Sequence, residues 1–133
     1  MPIREKIQFS HPVYRRKNVE YFLEANEPKP IMSEEYRKLS REEVRKQLKD
    51  LVSWKMTSGK LHREISFKSF EDAVAFLMRA SLEISKLDHH PEWFNVYNKI
   101  KIDLVTHDVD GISQYDFILA NKLDEIARTM KAK

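Results

Sequence analysis

The chain has 133 residues, a net charge of +3 and 34% charged side chains, which is the size and composition of one ordinary globular domain. It contains no cysteine, so disulfides, thiolate nucleophiles and cysteine-based zinc sites are excluded. The charge is too small to indicate nucleic-acid binding, and no apolar run reaches the roughly 18 residues of a membrane-spanning helix.

The beginning of the chain differs from the rest, because it holds four of the five prolines. We expect residues 1–39 to form an N-terminal extension that is partly ordered or flexible, and residues 40–133 to form the domain. The apolar spacing within the extension is compatible with a short helix over residues 17–25. A partly disordered tail is the alternative.

The first helix of the domain is predicted to begin at a capping box. Ser40 can accept a hydrogen bond from the amide of Glu43, while the Glu43 side chain reaches back to the Ser40 amide. Apolar residues then recur at helical spacing. We expect this helix to end near Leu51.

Two strands are predicted after this helix. The first covers residues 54–56 and is followed by a turn over residues 57–60. Residues 61–67 alternate apolar and polar side chains, which is typical of a half-buried antiparallel strand. Arg63 is the one polar residue on the apolar face of this strand.

The longest helix is predicted to begin at Phe70, after the capping residue Ser69, and to end before Pro91. Its apolar residues recur with a period near 3.6, which indicates a buried stripe along one side. The stripe consists of Phe70, Ala73, Val74, Leu77, Ala80, Ser81, Ile84 and Leu87.

Two further strands and a last helix complete the predicted order. The strands cover residues 93–97 and 100–106, and the last helix begins at a third capping signature, Ser113 to Asp116. Consecutive strands with short turns pair antiparallel, and helices cover one face of the resulting sheet. The predicted fold class is therefore α+β, a two-layer αββαββα domain with a four-stranded antiparallel sheet and three helices on one face.

The five histidines differ in their surroundings. We expect His11, beside a proline, and His62, on the outer face of a strand, to be solvated. His89 and His90 follow the long helix and His107 ends a strand, so their imidazoles converge at one end of the sheet if these strands are adjacent. Asp88 and Asp108 flank them in the sequence, and Asp116 opens the last helix nearby.

Three interpretations of this cluster stay open on the residues alone. A structural one places His89 near a helix C-terminus, where a cation is favoured. A metal site is the second, although adjacent histidines diverge and no histidine pair has i, i+4 spacing. The third is acid–base catalysis, because histidine changes charge near neutral pH and two imidazoles can supply an acid and a base. Ordinary structural explanations also exist for Asp116, Trp93 and Thr106.

One block of the sequence resembles a known family. Leu87 to Lys99 read LDHHPEWFNVYNK, and Thr106-His107, Gly111 and Asp116 follow at specific distances. This pattern closely resembles the pterin-4a-carbinolamine dehydratases, also called 4a-hydroxytetrahydrobiopterin dehydratases. The resemblance covers about Ser40 to Met130.

The resemblance implies a hydro-lyase reaction. Aromatic amino-acid hydroxylases leave tetrahydrobiopterin as its 4a-hydroxy adduct, and the family eliminates water from it to give quinonoid dihydropterin, in tetrahydrobiopterin recycling. The departing hydroxyl needs a proton donor and the N5 proton needs an acceptor, which histidines can supply. No metal, redox cofactor or covalent nucleophile is implied, and the pterin is the substrate.

The resemblance also implies roles for particular residues. The matching catalytic residues are His89, His90 and His107. His90 is expected to be the principal acid–base group. The matching pterin-binding residues are Asp88, Trp93 and Thr106. Asp116 matches a position whose carboxylate orients a histidine.

One position departs from the family pattern. Animal members carry a glutamate three residues before the aspartate that precedes the histidines, and this chain has Ser85 there. Glu83 is two residues earlier, about 200° around the helix. The departure bears on substrate affinity and on the preferred pterin side chain, and it leaves the fold and the reaction class in place.

The resemblance implies partners as well. The family forms dimers or tetramers, so we expect a homodimer or homotetramer, with its interface at residues 93–97 or at the last helix. Animal members also serve as dimerisation cofactors of a homeodomain transcription factor, and such a protein-binding role is the alternative function. We expect no direct contact with nucleic acid or membrane, and a location in the cytoplasm that can extend to the nucleus.

Overall fold

The computed structural model describes residues 34–133 and, before them, the backbone of three strands. These strands are β1 (Lys6–Ile7), β2 (Glu20–Glu24) and β3 (Glu27–Ile31). They pair antiparallel in the order β1-β2-β3. The helix predicted over residues 17–25 is therefore wrong where the chain is described, because β2 pairs along its whole length with β3 and its aromatic residues favour a strand. His11 lies outside the described residues.

Helix α1 (Arg41–Leu48) begins at the predicted capping box and ends three residues earlier than expected. The Glu43 amide donates to Ser40 Oγ at 3.2 Å, and the Ser40 amide donates to Glu43 Oε2 at 2.7 Å. The guanidinium of Arg37 binds the same carboxylate at 2.6 Å and lowers the pKa of Glu43 to about 2. The ionised glutamate thus ties the incoming chain to the first turn of the helix.

The main sheet has four antiparallel strands in the order β4-β5-β7-β6. They are β4 (Lys55–Thr57), β5 (Lys60–Ser66), β6 (Glu92–Val96) and β7 (Lys99–Leu104). β5 and β7 are central, whereas β4 and β6 are edge strands. Ser58 and Gly59 both have positive φ, 52° and 77°, and form the two-residue turn between β4 and β5. The register sets Leu61 opposite Leu104 and Glu92 opposite Asp103, so β5 and β6 both begin beside the end of β7.

The three helices α1, α2 (Phe70–Leu87) and α3 (Gln114–Thr129) complete the predicted two-layer fold. The residues by which α2 enters the core are Ala73, Phe76, Ala80 and Ile84. Phe70 and Val74, predicted in the buried stripe, are instead exposed. Ala73, Ala80 and Ile84 of the predicted stripe are buried as expected, and the buried line also includes Phe76, which was not predicted.

A second apolar line on α2 faces away from the core. It consists of Phe70, Val74, Met78 and Leu82, spaced four residues apart and all exposed, and it is called the α2 ridge below. No helix in residues 34–133 is long and apolar enough to cross a membrane.

The buried position of Arg63 is explained by a partner on α3. Its guanidinium binds the carboxylate of Asp124, which also accepts a hydrogen bond from Trp54 Nε1 at 2.6 Å. A charge within an apolar layer is tolerated when it is paired in this way. The polar exception in the β5 pattern is therefore a link between the sheet and α3.

Candidate active site

A reversal of the chain at Asp88 separates the two adjacent histidines. Asp88 adopts the left-handed conformation, φ 49° and ψ 42°, that commonly ends helices. The His89 amide then donates back to the carbonyl of Ile84 at 3.3 Å. As a result, His89 is 0% exposed, whereas 67% of the His90 side chain is exposed.

A buried carboxylate joins His89 to the end of the sheet. Asp116 Oδ1 lies 2.6 Å from His89 Nε2, and Oδ2 accepts from Thr106 Oγ1 at 2.7 Å and from the Ser113 amide at 2.9 Å. The Thr106 and Ser113 hydroxyl oxygens are also 2.7 Å apart. All four residues are completely buried, and they are called the Asp116 cluster. The cluster fixes the end of α2, the end of β7 and the start of α3 against one another.

The Asp116 bond determines what the His89 ring can do. Because the carboxylate accepts from Nε2, this nitrogen carries the proton. The other nitrogen, Nδ1, is buried and has no hydrogen-bond partner among the described residues. The ring packs beside Tyr115, with 5.9 Å between centroids. His89 is therefore held in one orientation behind the surface.

Two exposed histidines directly follow residues of the Asp116 cluster in the sequence. His90 follows His89, and His107 follows Thr106, so the buried bonds hold both segments at the same end of the sheet. His90 Nε2 lies 3.4 Å from Asp88 Oδ1. The His107 side chain is 72% exposed. These two imidazoles are accessible to a bound molecule.

Glu92 lies between His107 and a lysine. Its Oε1 is 3.1 Å from His107 Nε2, and its Oε2 is 2.6 Å from Lys60 Nζ. The Lys60 contact lowers the pKa of Glu92, and His107 lowers it further. In return, Glu92 raises the pKa of Lys60. Both members of this ion pair are charged at neutral pH.

The other predicted site residues occupy two different environments. Asp88 is partly exposed beside His90, and Trp93 is 39% exposed on the edge strand β6. Thr106 is buried and contacts Asp116 from within. The structure thus brings together His89, Thr106 and Asp116, while among the described residues no hydrogen bond or ion pair joins His90 to His107.

The region around Ser85 contains no replacement for the missing glutamate. Glu83 is bound by Lys122 of α3 at 3.1 Å and by Lys86 at 3.4 Å. Lys122 lowers the pKa of Glu83. This carboxylate therefore faces α3, and the exposed Ser85 leaves Asp88 as the acid beside His90.

The prediction that His62 is solvated is wrong. Its side chain is only 14% exposed, and Nδ1 lies 2.7 Å from Asp103 Oδ1. The register places the two residues directly opposite each other on β5 and β7, where an opposite-charge pair is favoured. The alternation of the strand was visible in the sequence, but this partner was not.

Three residues that contact the site are missing from the sequence prediction: Lys60, Glu92 and Ser113. The capping position of Ser113 was predicted, but its hydroxyl contact with Thr106 was not. Glu92 could have been found from its place two residues after His90 within the family-like block. The contact of Lys60 depends on the strand order, because it reaches from β5 past β7 to β6.

The fold and this histidine-containing site agree with one class of protein. The sequence profile of the family described as pterin 4 alpha carbinolamine dehydratase matches residues 37–126, a range that includes the four-stranded sheet and every predicted site residue. The chain belongs to this family.

Individual relatives are similar over nearly their whole length. A protein of Solibacter usitatus (strain Ellin6076) is 49% identical over 90 residues, covering 68% of this chain and 95% of the relative. A protein of Burkholderia pseudomallei (strain 1710b) is 38% identical over 97 residues, covering 71% of this chain and 96% of the relative. Both carry the name pterin-4-alpha-carbinolamine dehydratase with provisional status.

A solved structure shows the same fold. It is the crystal structure of a "transcriptional coactivator/pterin dehydratase" from Brucella Melitensis, with a TM-score of 0.66 and 38% sequence identity. The similarity covers 68% of this chain and 99% of the Brucella chain.

Proposed function

We propose that the protein dehydrates 4a-hydroxytetrahydrobiopterin to quinonoid dihydropterin and water, in tetrahydrobiopterin recycling. Membership of the family supports the dehydratase class. The observation that carries the histidine mechanism is the placement of two exposed imidazoles, His90 and His107, beside the Asp116 cluster. Each follows a buried residue that Asp116 holds, so both are presented from a rigid base.

The elimination requires one proton donor and one proton acceptor. The acceptor imidazole takes the proton of N5, and the electrons of that N–H bond form the C4a=N5 double bond. The C4a–O bond breaks, and the departing hydroxyl takes a proton from the donor imidazolium and leaves as water. We assign His90 as the principal acid–base group and His107 as its partner. Catalysis of this kind contributes roughly 10²–10⁴-fold to a rate.

The remaining residues hold the substrate or the histidines. Asp88 is suited to accept hydrogen bonds from pterin N–H groups, and the indole of Trp93 to flank the ring. For His89 we propose a positioning role rather than direct proton transfer, because its Nε2 is occupied by Asp116 and its ring is buried. Thr106 is buried and helps to hold Asp116 in place by donating a hydrogen bond to Oδ2.

The proposed reaction needs no metal or redox cofactor. The substrate and the product differ by one water molecule, so no electrons are gained or lost. We therefore expect full activity after exhaustive dialysis against EDTA. A loss of activity that added metal restores would contradict this part of the proposal.

The test of the function is the dehydration of freshly made 4a-hydroxytetrahydropterin, followed by its ultraviolet decay. We expect acceleration by the wild-type protein, loss of most of it in His90→Ala, and wild-type rates in Lys99→Ala, an exposed residue at the opposite end of β7 from the site. Equal acceleration by wild type and His90→Ala would remove the assignment of His90. No acceleration by folded wild-type protein would overturn the function.

We also infer that the chain assembles with copies of itself into a dimer or tetramer. β6 is an edge strand, so one row of its backbone groups is unpaired within the sheet, and it exposes Phe94 and Val96. The α2 ridge is a second exposed apolar surface. Both are features of protein contact surfaces. Helix α3, the other predicted interface, buries most of its apolar residues in the core.

A second candidate function is protein binding as a transcriptional coactivator. The Brucella structure is described both as a transcriptional coactivator and as a pterin dehydratase. The α2 ridge of this chain offers a surface for a partner helix. The two functions are separable, since catalysis depends on His90 and binding on the ridge. If Met78→Glu removes a cellular function that His90→Ala retains, the binding role is supported; the reverse result supports the enzyme.

A further inference from the structure

We propose that Lys60 and Glu92 are positioning residues that set the orientation and the charge state of His107. The inference rests on the proposed acid–base role of His107. It adds two residues of the open face of the sheet to the machinery, neither of which touches the reacting atoms in the mechanism above.

The geometry is a chain of three side chains from three segments. Lys60 is the first residue of β5 and Glu92 the first residue of β6, and β7 runs between these strands. Glu92 uses a separate oxygen for each contact, 2.6 Å to Lys60 Nζ and 3.1 Å to His107 Nε2. A carboxylate held at one oxygen presents the other in a defined direction, so Lys60 acts on His107 through Glu92.

The surrounding charges explain why the lysine is needed. Asp103 lies directly opposite Glu92 in the register of β6 and β7, and like charges at opposed positions repel. The Asp103 charge is met by His62 at 2.7 Å, whereas the Glu92 charge is met by Lys60. Asp103 also contributes to the raised pKa of Lys60. Each acid of this row thus has its own basic partner.

The other titratable groups near His107 in the structure or the sequence are Asp108, Asp110, Asp88 and His90. In its own turn, Asp108 accepts a hydrogen bond from Tyr36, and Asp110 ends the turn. Before β6, Asp88 and His90 are paired with each other at 3.4 Å. Within residues 34–133, the charged side chain in hydrogen-bond contact with the His107 ring is that of Glu92.

Two consequences follow for His107. Donation from Nε2 to Glu92 leaves Nδ1 as the nitrogen that can exchange a proton with substrate. The two members of the Lys60–Glu92 pair carry opposite charges. A carboxylate beside an imidazole favours its protonated form, and an ammonium group disfavours that form.

The experiment compares Lys60→Met and Glu92→Gln with the control Lys101→Met. Lys101 is an exposed lysine on the same sheet that lies 3.8 Å from Glu64, and no contact within residues 34–133 joins it to Glu92 or His107. The readouts are the pH–rate profile of dehydration and an NMR titration of the His107 ring. Relative to wild type, we expect both midpoints to rise by roughly half a pH unit in Lys60→Met and to fall by a similar amount in Glu92→Gln. Lys101→Met should match wild type.

Opposite shifts are the signature of a charge pair that acts on one histidine, because general structural damage has no reason to produce them. Shifts in the same direction, or none beyond those of Lys101→Met, would overturn the proposal. The NMR titration separates it from the proposed function. Opposite NMR shifts in a protein without dehydratase activity would support the action of Lys60 and Glu92 on His107 and overturn the proposed function. Dehydratase activity without such shifts would support the function and overturn the role of the two residues.

Discussion

Asp116 Oδ1 lies 2.6 Å from His89 Nε2, and both side chains are completely withdrawn from solvent. The same carboxylate accepts from the Thr106 hydroxyl and the Ser113 amide. A buried carboxylate is stable only when its acceptor positions are filled. The bonds that satisfy this charge are therefore also the bonds that join three elements at the candidate site.

The first prediction concerns Asp116→Asn. The amide keeps the shape but turns a donor group toward one of the N–H or O–H groups that the carboxylate accepts from. We expect a loss of roughly 2–4 kcal/mol in the free energy of unfolding, measured with urea. Asp50→Asn, at an exposed acid, should change it by less than about 0.5 kcal/mol. A stability equal to wild type in Asp116→Asn would show that the buried bonds carry little energy.

The second prediction distinguishes the neighbouring histidines by stability. His89→Ala removes a buried ring and leaves Asp116 without a partner, so we expect a loss of roughly 3–5 kcal/mol. His90→Ala changes an exposed side chain and should remain within about 0.5 kcal/mol of wild type. Thermal unfolding of both variants checks this. Equal losses would contradict the placement of the two rings.

The third prediction concerns the start of α1 at low pH. Arg37 lowers the pKa of Glu43 to about 2 in the folded protein, from an ordinary value of 4.5. Because the folded pKa is depressed, the stabilisation is present above pH 4.5 and is lost as the pH falls toward 2. The protection of the amides in the first turn of α1, measured as the exchange rate relative to the intrinsic rate at the same pH, should decrease over this interval. In Glu43→Gln this decrease should be absent, since no proton is taken up there.

The fourth prediction concerns Ser85. Ser85→Glu returns a carboxylate to an exposed position one turn before Asp88, where animal relatives are expected to carry one. An added hydrogen bond to a charged group is worth about 1.5 kcal/mol, so we expect KM for the pterin to fall by roughly tenfold with kcat unchanged. Ser85→Gln, of similar shape without the charge, should have a smaller effect. An unchanged KM in Ser85→Glu would show that this position does not reach the substrate.

The fifth prediction tests the assembly. Light scattering of the wild-type protein should give a mass well above the 15.9 kDa of one chain. Met78→Glu places a charge in the middle of the α2 ridge and should lower that mass, while Lys55→Glu on the edge strand β4 should not. A monomeric wild-type protein would contradict the inference. An unchanged mass in Met78→Glu would direct attention to the edge of β6.

The features that could be predicted from the sequence are those encoded within a few residues. The capping box from Ser40 to Glu43 and the alternation of β5 are of this kind, and both occur as expected. The partner of Arg63 was not predictable, because Asp124 is 61 residues away and meets it only when α3 packs on the sheet. For the same reason, the spacing of apolar residues on α2 correctly placed Ala73, Ala80 and Ile84 in the core but also included Phe70 and Val74, which are exposed.

The candidate site divides in a similar way. Its histidines and Asp116 were singled out from a contiguous block and its spacing, and the structure places Asp116 Oδ1 2.6 Å from His89 Nε2. Glu92 and Lys60 meet across an intervening strand, and this contact depends on the order in which β5, β7 and β6 pair. Local patterns thus indicate which groups are present, and the strand order determines their neighbours.

The left-handed turn at Asp88 has a consequence for protein engineering. It places His89 inside the fold and His90 on its surface, so core packing restricts substitution at position 89 and not at position 90. Position 89 tolerates little because its neighbours fit one ring. The exposed side chain at position 90 can be replaced, for example by unnatural imidazole analogues with other proton affinities, without a change in core packing. The protein therefore offers a surface position at which the proposed proton-transfer chemistry can be altered without repacking the interior.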